Sequence, residues 1–470
     1  MTMTAIHSPI TGVEIGEVRD ADAAAVAGAF DAGAQALPGW RGTPPTQRGR
    51  VLHRLAEVMR SRSAEIADTE TLNTGKHLND TRREAVRAAE CFEYYAGWAD
   101  KATGTTIPVP GPFHTYTTRE PYGIAVGIIP WNVPYFFAAK KIAPALAFGN
   151  VSILKPAAET PLTALVLAEI AAECGVPDGV IQVVTGGPEA GRELVSGGRA
   201  NLIVFTGHHT TGKAIARTAA DHLVPVALEL GGKSPQLVFD DADLDAALEG
   251  VLLGIFGAAG QMCTAGSRLF VQDAVHDEFV ARLVARVKCL RVGDPRHDDV
   301  NVGPQVTAAQ RDKSLAMIES ALAEGAHRSA AAPLPTDAAL AGGYFVAPTV
   351  FADVDPEMLI MREEVFGPVL AVGRFSDEGD AVAKAQQTEF GLAAGIWTRD
   401  VGRAHRVAAA LDVGTVWINT YRVLSDLVPF GGVGLSGYGR EGGASAIELY
   451  TRPKSVWTST SPGVPPGFRL

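Results

Sequence analysis

The 470-residue sequence is short of cysteine, of basic charge and of internal repetition, and each shortage removes a class of protein. Its four cysteines, Cys91, Cys174, Cys263 and Cys289, form no CxxC pair and no Cys/His cluster at metal-ligand spacing, so neither a metal site nor a disulfide scaffold is expected. Reduced thiols of this kind suit a cytoplasmic setting. Basic residues number 41 against 52 acidic ones, a net charge of −11, which argues against nucleic acid and anionic membranes as partners. No period of roughly 20–50 residues recurs, so solenoids and propellers are excluded. The first residues, MTMTAIHSPITGVEIGEV, lack a basic segment followed by an apolar one, and no signal peptide is expected. The uncharged stretch 250–267 is weakened as a helix by Gly257, Gly260 and Gly266 and carries Gln261, Thr264 and Ser267. A buried helix running into a loop is therefore expected there, not a membrane span.

What remains is an ordinary globular composition, 47% hydrophobic and 20% charged, in a chain too long for one core. The first hundred residues predict helix, with Val51, Leu52, Leu55, Val58, Met59 and Ile66 recurring every three to four residues as a core-facing stripe. In 104–121, GTTIPVPGPFHTYTTREP, two β-prone runs flank a Pro-Gly-Pro turn and predict a projecting hairpin. From GIAVGIIP to VPVALELGGKSPQLVF, apolar strands alternate with helices, one of which has Pro161 at its start and Gly175 past its end. That alternation argues for an α/β fold whose parallel sheet carries helices on both faces and binds nucleotides at the carboxyl ends of its strands. A second alternating block, from RLFVQ to TVWINT, predicts a second α/β domain over roughly 232–431. The end, SPGVPPGFRL, reads as irregular.

Few residues stand out chemically, and none is decisive alone. Cys263 lies in GAAGQMCTAGSR, where a lone thiol in apolar company is more often inert packing than a nucleophile. Glu229 ends a buried strand in LELGGKSP, where an ionisable group is expensive unless paired or functional, although a capping role would also account for it. Asn132 is held between Pro130 and Pro134, as suits an amide donor aimed at a fixed point or an Asx-type turn. VFTGHHTTGK is a strand-to-helix turn of the kind that binds phosphate, and also of the ordinary kind. The GxGxxG at Gly432, Gly434 and Gly437 follows no strand and opens no helix, so it predicts a tight loop and not a dinucleotide fingerprint.

Taken in order, nine stretches carry a resemblance to the aldehyde dehydrogenase superfamily across nearly the whole chain. They are PWNVP, KPAAETPL, FTG with a glycine five residues on, LELGGKSP, GQMC, GDP with NVGP, EEVFGP, WIN and PFGGVGLSGYGRE. The 34-residue spacing from Glu229 to Cys263 fits as well. The resemblance implies a Rossmann-like cofactor-binding domain (1–103, 122–231 and 432–450), a second α/β catalytic domain (232–431) and a small β oligomerisation element (104–121 and 451–470). It further implies an NAD(P)-dependent oxidation of a small-molecule aldehyde through a cysteine thioester, in a homodimer or homotetramer. A coenzyme A-acylating relative and a non-catalytic member are the alternatives; the joint presence of Cys263, Glu229 and Asn132 argues against both.

Matched position by position, Cys263 resembles the family's nucleophile, Glu229 its general base and Asn132 its oxyanion donor, with a dipole or helix N-terminus expected to favour the thiolate. On the cofactor side the matches are Trp131, Lys155, Gly207, Gly212, Glu364 and Phe366. Two positions depart: His208 stands where the family usually has serine, and Ala158 where NAD-specific members often carry glutamate, with Glu159 one residue later. Dual use of NAD and NADP is the resulting expectation. The family's substrate pocket falls near Val133, Phe137, Lys140, Tyr421, Arg422 and Leu424, a mixed wall with two basic groups.

Overall fold

Short apolar runs separated by helices become strands buried on both faces, and the computed structural model, which describes residues 2–461, gathers them into two sheets. The first has the order Gly437–Tyr438, Val226–Glu229, Leu202–Thr206, Ile124–Ile128, Val151–Lys155 and Ile181–Val183. All its pairings are parallel except that of Gly437–Tyr438. Ile124–Ile128, Val151–Lys155 and Leu202–Thr206 are buried at every position, as a sheet covered on both faces requires. The helices Pro134–Ala147, Leu162–Glu173, Pro188–Ser196 and His209–Ala220 connect these strands.

The second sheet runs His327–Ala331, Thr349–Ala352, Val369–Phe375, Arg268–Gln272, Pro235–Val238, Ala393–Trp397 and Thr415–Ile418. Only its edge strand His327–Ala331 is antiparallel. The chain passes from the first sheet to the second in the five residues between Glu229 and Pro235 and returns to pair Gly437 with Glu229. Glu229 therefore lies at the crossing between sheets.

Three expectations are revised. The first hundred residues are not all helical: Met3–His7 and Glu14–Arg19 pair antiparallel before the helices Ala23–Gly42, Pro45–Ser61, Ser63–Thr74 and Leu78–Trp98. A turn with Gly12 at φ +74° joins the pair. The predicted stripe holds, with Leu52, Leu55, Met59 and Ile66 almost wholly buried and Val51 and Val58 packed against them.

The 104–121 hairpin is the second revision. Only Phe113–Pro121 is a strand, and its partner is the distant strand Thr451–Ser459, in continuous register from Thr451↔Pro121 to Ser459↔Phe113. The segment before it touches Phe113–Pro121 through the Thr106↔Tyr116 bridge and the Ile107 N–H to the Thr115 carbonyl. Pro108, Pro110 and Pro112 have no N–H to give a ladder, which is why that limb never becomes a strand. Residues 462–470, the remainder of the expected tail, lie outside the described residues.

Residues 250–267 behave as expected. The helix Leu244–Phe256 stops at Gly257, and among the described residues no helix is long and apolar enough to cross a membrane. The GxGxxG segment is a tight loop: Val433–Gly434 pairs with Phe390–Gly391, and a Cβ on Gly437 would lie 2.0 Å from the Leu228 carbonyl oxygen. The third revision concerns the state of the Cys263 thiol.

Candidate active site

Immediately after the helix Leu244–Phe256 the backbone turns left-handed at three successive residues, Ala258 (φ +53°), Ala259 (φ +54°) and Gly260 (φ +74°). Alanine reaches this region only at a cost of about 1–2 kcal/mol, so something must hold it. Gln261 and Gln305 do. The Gln261 side chain donates to the Ala258 carbonyl at 3.2 Å and the Pro304 carbonyl at 3.3 Å, and its oxygen accepts the Val306 N–H at 2.8 Å. Gln305 donates to the Ala259 carbonyl at 3.0 Å. The one polar side chain just before Cys263 is thus the pin of the loop that presents it.

Asn132 sits just ahead of the helix Pro134–Ala147 and is buried. Its Nδ2 donates to the Gln261 carbonyl at 2.9 Å, while its Oδ1 has no partner among the described residues. The bond ties the asparagine amide to the cysteine loop across 129 residues of sequence. Glu229 is 4% exposed, and among the described residues neither carboxylate oxygen has a hydrogen-bond partner. Burial pushes its pKa up to about 8, helped by the negative charge of Glu441 and opposed by Lys140, Lys141 and Arg440.

Cys263 is half-buried. Burial pushes its thiol up to about 12, reinforced by Glu364 and Glu229, while Lys140 pulls the other way. The expectation of a dipole-favoured thiolate is therefore corrected. The sulfur lies in a turn and not at a helix N-terminus, so no helix dipole lowers its pKa, while burial raises it.

A cavity of about 150 Å3 joins these three residues to Trp131, Phe137, Gly207, His208, Glu364 and Phe366. Phe366 meets Trp131 edge-on with centroids 5.2 Å apart, and its own backbone is left-handed at φ +57°. Gln310 supports that turn, donating to the Val365 and Phe366 carbonyls at 3.1 and 2.9 Å. Glu364 accepts the Gly232 N–H at 3.0 Å, and burial pushes its pKa up to about 7. A Cβ on Gly231 would lie 2.1 Å from the Glu364 carboxylate, so only glycine leaves room there. His208 caps the helix His209–Ala220 through its Nδ1, and burial pushes its imidazole pKa down.

The other candidate cofactor residues lie outside the walls of this cavity. Lys155 is buried at the end of its strand with Nζ on the Pro156 carbonyl at 2.9 Å, Ala158 is half-buried in the following turn, and Gly212 packs its helix onto Leu230. Of the candidate substrate pocket only Phe137 lines the cavity. Val133 is buried at the head of its helix, Leu424 packs on the second-sheet core, and Tyr421 is buried with its hydroxyl on the Thr264 carbonyl at 3.1 Å. Lys140 does not point to solvent: it is 3.7 Å from Glu441 and over the Phe430 ring at 4.9 Å.

Sequence reasoning missed Gln310 and Lys313, two further lining residues, and the buried pair Lys141–Glu441, in which Lys141 also donates to Thr206 Oγ1 at 2.7 Å. Charged residues on a helix read as a solvated face until the packing direction is known. The signal for Glu441 was present in GYGRE but carried no role.

The residues fit a nicotinamide dinucleotide. The cleft opens at the carboxyl ends of Leu202–Thr206 and Val226–Glu229, glycines clear its floor, and unpartnered acceptors face inward. The model of the Aldehyde dehydrogenase family matches residues 2–456. A betaine aldehyde dehydrogenase of Cereibacter sphaeroides (strain ATCC 17029) is 46% identical over 455 residues, covering 97% of this chain and 93% of that protein. Among solved structures, PnpE from Pseudomonas sp. WBC-3, also solved in complex with nicotinamide adenine dinucleotide, superposes with a TM-score of 0.97 at 41% identity, over 99% of this chain and 96% of that one. The betaine aldehyde dehydrogenase of Staphylococcus aureus in complex with NAD+ superposes equally well, TM-score 0.97 at 36% identity, over 100% and 94% of the two chains.

Proposed function

The chain belongs to the aldehyde dehydrogenase family, and from that premise we propose that Cys263, Asn132 and Glu229 carry its chemistry. It is an NAD(P)-dependent aldehyde dehydrogenase, which oxidises an aldehyde to a carboxylic acid. The observation that carries the assignment of roles is the meeting, in one cavity, of a half-buried thiol, an amide anchored to the thiol's own loop, and a carboxylate without partners.

In this reading the Cys263 sulfur attacks the carbonyl carbon as its proton is released to solvent. The Asn132 Nδ2 and the Cys263 backbone N–H receive the negative charge that develops on the oxygen. Glu364, Phe366, Trp131, Lys155 and the Gly207–His208 turn would hold a nicotinamide cofactor, which when bound would supply a hydride acceptor for the oxidation to the thioester level. Glu229 then takes a proton from water, the hydroxide adds to the thioester carbon, and the acid leaves as the Cys263 sulfur is released. Four free cysteines, two of them buried, support a reducing, cytoplasmic setting.

Ala158 bears on the choice of cofactor. A carboxylate at this place would accept the adenine ribose hydroxyls and repel a 2′-phosphate; alanine does neither, and exposed Glu159 restores only part of that repulsion. Reduction of either cofactor, followed by absorbance with a panel of aldehydes, tests both the reading and this refinement. We expect turnover with NAD and with NADP, and a kcat/KM ratio of NAD over NADP below about a hundred, since a larger ratio needs like-charge repulsion of about 3 kcal/mol. Ala158→Glu should raise that ratio at least about tenfold by loss of NADP activity. An unchanged ratio would show that selectivity is set elsewhere, and no turnover with any aldehyde would overturn the reading itself.

The domain boundaries 1–103, 122–231 and 432–450, then 232–431, then 104–121 and 451–470, are proposed on the same footing. Among the described residues the Thr451–Ser459 edge of this ribbon has no strand partner beyond Phe113–Pro121, and Trp457 is 60% exposed on it. Such edges invite pairing with another copy, so the ribbon is proposed to bury itself between subunits of a dimer or tetramer. Light scattering at micromolar concentration should report a dimer or tetramer; a monomer would remove this role. Betaine aldehyde, the substrate named for the Cereibacter and Staphylococcus relatives, is one aldehyde to be tested.

A further inference from the structure

A second cavity of about 150 Å3 shares no wall residue with the first. It opens beside the short crossing between Glu229 and Pro235, and Pro235, Leu392, Leu411 and Val433 give it apolar walls. Exposed Glu389 and Asp412 also line it, so it reaches the surface on their side. Lys233, a residue of the crossing itself, lines it as well, and its side chain is almost wholly buried.

A buried ammonium without a hydrogen bond is expensive. Every other buried lysine among the described residues has a partner. Lys76 pairs with Glu84 and with Glu70 at 3.3 Å, Lys141 pairs with Glu441, Lys140 lies 3.7 Å from Glu441, and Lys155 donates to the Pro156 carbonyl at 2.9 Å. Even the half-buried Arg422 gives its Nη1 to the Leu253 carbonyl at 2.9 Å. The Nζ of Lys233 has no partner among the described residues.

Its surroundings add a like charge. Arg268, at the head of the strand Arg268–Gln272, lines the same cavity and is 1% exposed. It is tied there by Nε to the Lys233 carbonyl at 2.9 Å and by Nη2 to the Ala385 carbonyl at 2.6 Å, at the C-terminal end of the helix Glu378–Ala385. Burial first, then Arg268 and more weakly Lys313, push the Lys233 pKa down to about 7, against the pull of Glu364 and Glu363. An amine desolvated beside a second cation is the arrangement that makes lysine a nucleophile toward carbonyl carbon.

We propose that Lys233 is a second nucleophile, which takes up small aldehydes reversibly as an imine in this cavity, apart from Cys263. The Nζ lone pair adds to the carbonyl carbon, both hydrogens of the neutral amine leave with the carbonyl oxygen as water, and a C=N double bond remains. Water reverses the step, and no oxidant or reductant takes part. A neutral aldehyde suits the site: the apolar walls receive its alkyl chain, whereas Glu389 and Asp412 on the open side repel an anion.

The test uses the whole enzyme without cofactor, so its outcome does not depend on turnover at Cys263. The wild type is held at pH 7 with butanal and sodium cyanoborohydride, which reduces an imine to a stable secondary amine, and peptide mass spectrometry follows the butyl group on each lysine with time. An ordinary lysine amine is almost wholly protonated at this pH, so the Lys233 peptide should be labelled at least about tenfold faster than the peptides of exposed Lys101 and Lys288. Without the reductant, dialysis should return Lys233 unmodified. In Lys233→Arg that label should vanish while Lys101 and Lys288 react as before. Labelling of Lys233 that is absent or no faster than that of the exposed lysines overturns the proposal, as does an unreduced adduct that survives dialysis. Both readings come from the wild type, so they decide the matter even if Lys233→Arg fails to fold.

Discussion

Cys263→Ala should lower kcat by roughly three orders of magnitude or more, because removal of a covalent nucleophile leaves only binding and electrostatic effects behind. Cofactor affinity, measured by fluorescence titration, should stay within about threefold, since the Asn132 amide, Glu364 and the Phe366 turn are held by bonds that do not involve the sulfur. The thiol of Cys91 cannot substitute: it is fully buried and burial pushes it well above the ordinary thiol range. A variant that keeps more than about a hundredth of kcat would remove Cys263 from the mechanism.

Glu229→Gln is the second large effect, and it should act on a different step. The amide keeps the shape of the carboxylate but cannot take a proton from water, so turnover should fall about a hundredfold while the first reduction of cofactor persists as a burst. Mass spectrometry after rapid quenching should find the acyl group on the peptide that contains Cys263. If turnover is lost and no acyl group accumulates, Glu229 acts before acylation. The pH dependence follows from the same residue. With its pKa raised to about 8, Glu229 is protonated and idle at lower pH, so the rate of acyl hydrolysis in the wild type should climb as pH rises through about 8 and level above it. That inflection should be missing from Glu229→Gln.

The proposed catalytic trio stood out because each member violates the local pattern, but its roles came only from the family resemblance. A glutamate closes a buried strand, an asparagine is clamped by two prolines, and a cysteine sits among glycines and alanines. Parallel strands were legible for the opposite reason, as uninterrupted apolar runs between helices. What the sequence hid depends on packing direction or on pairing across long separations. Gln310 and Lys313 lie on a helix whose polar residues look uniformly solvated until the cavity is seen to open beneath two of them. Lys141 and Glu441 are 300 residues apart, and nothing in either segment announces the other. The left-handed turns at Ala258, Ala259 and Arg422 were equally hidden, since alanine and arginine are not residues from which a positive φ is inferred.

The ribbon that joins Phe113–Pro121 to Thr451–Ser459 also sets an order of events during synthesis. Its ion pair Lys454–Glu120 closes a loop of 334 residues, and at about 5–20 residues per second a ribosome needs tens of seconds to make that much chain. Gly437–Tyr438, the strand next to Glu229, arrives equally late. Through that interval the early strand lacks its partner along one whole edge and the first sheet lacks its border, so the nascent protein is exposed to association until residues 437–459 have been made. The crossing at Glu229 is completed only after about 200 further residues have been made, when Gly437 arrives to pair with it.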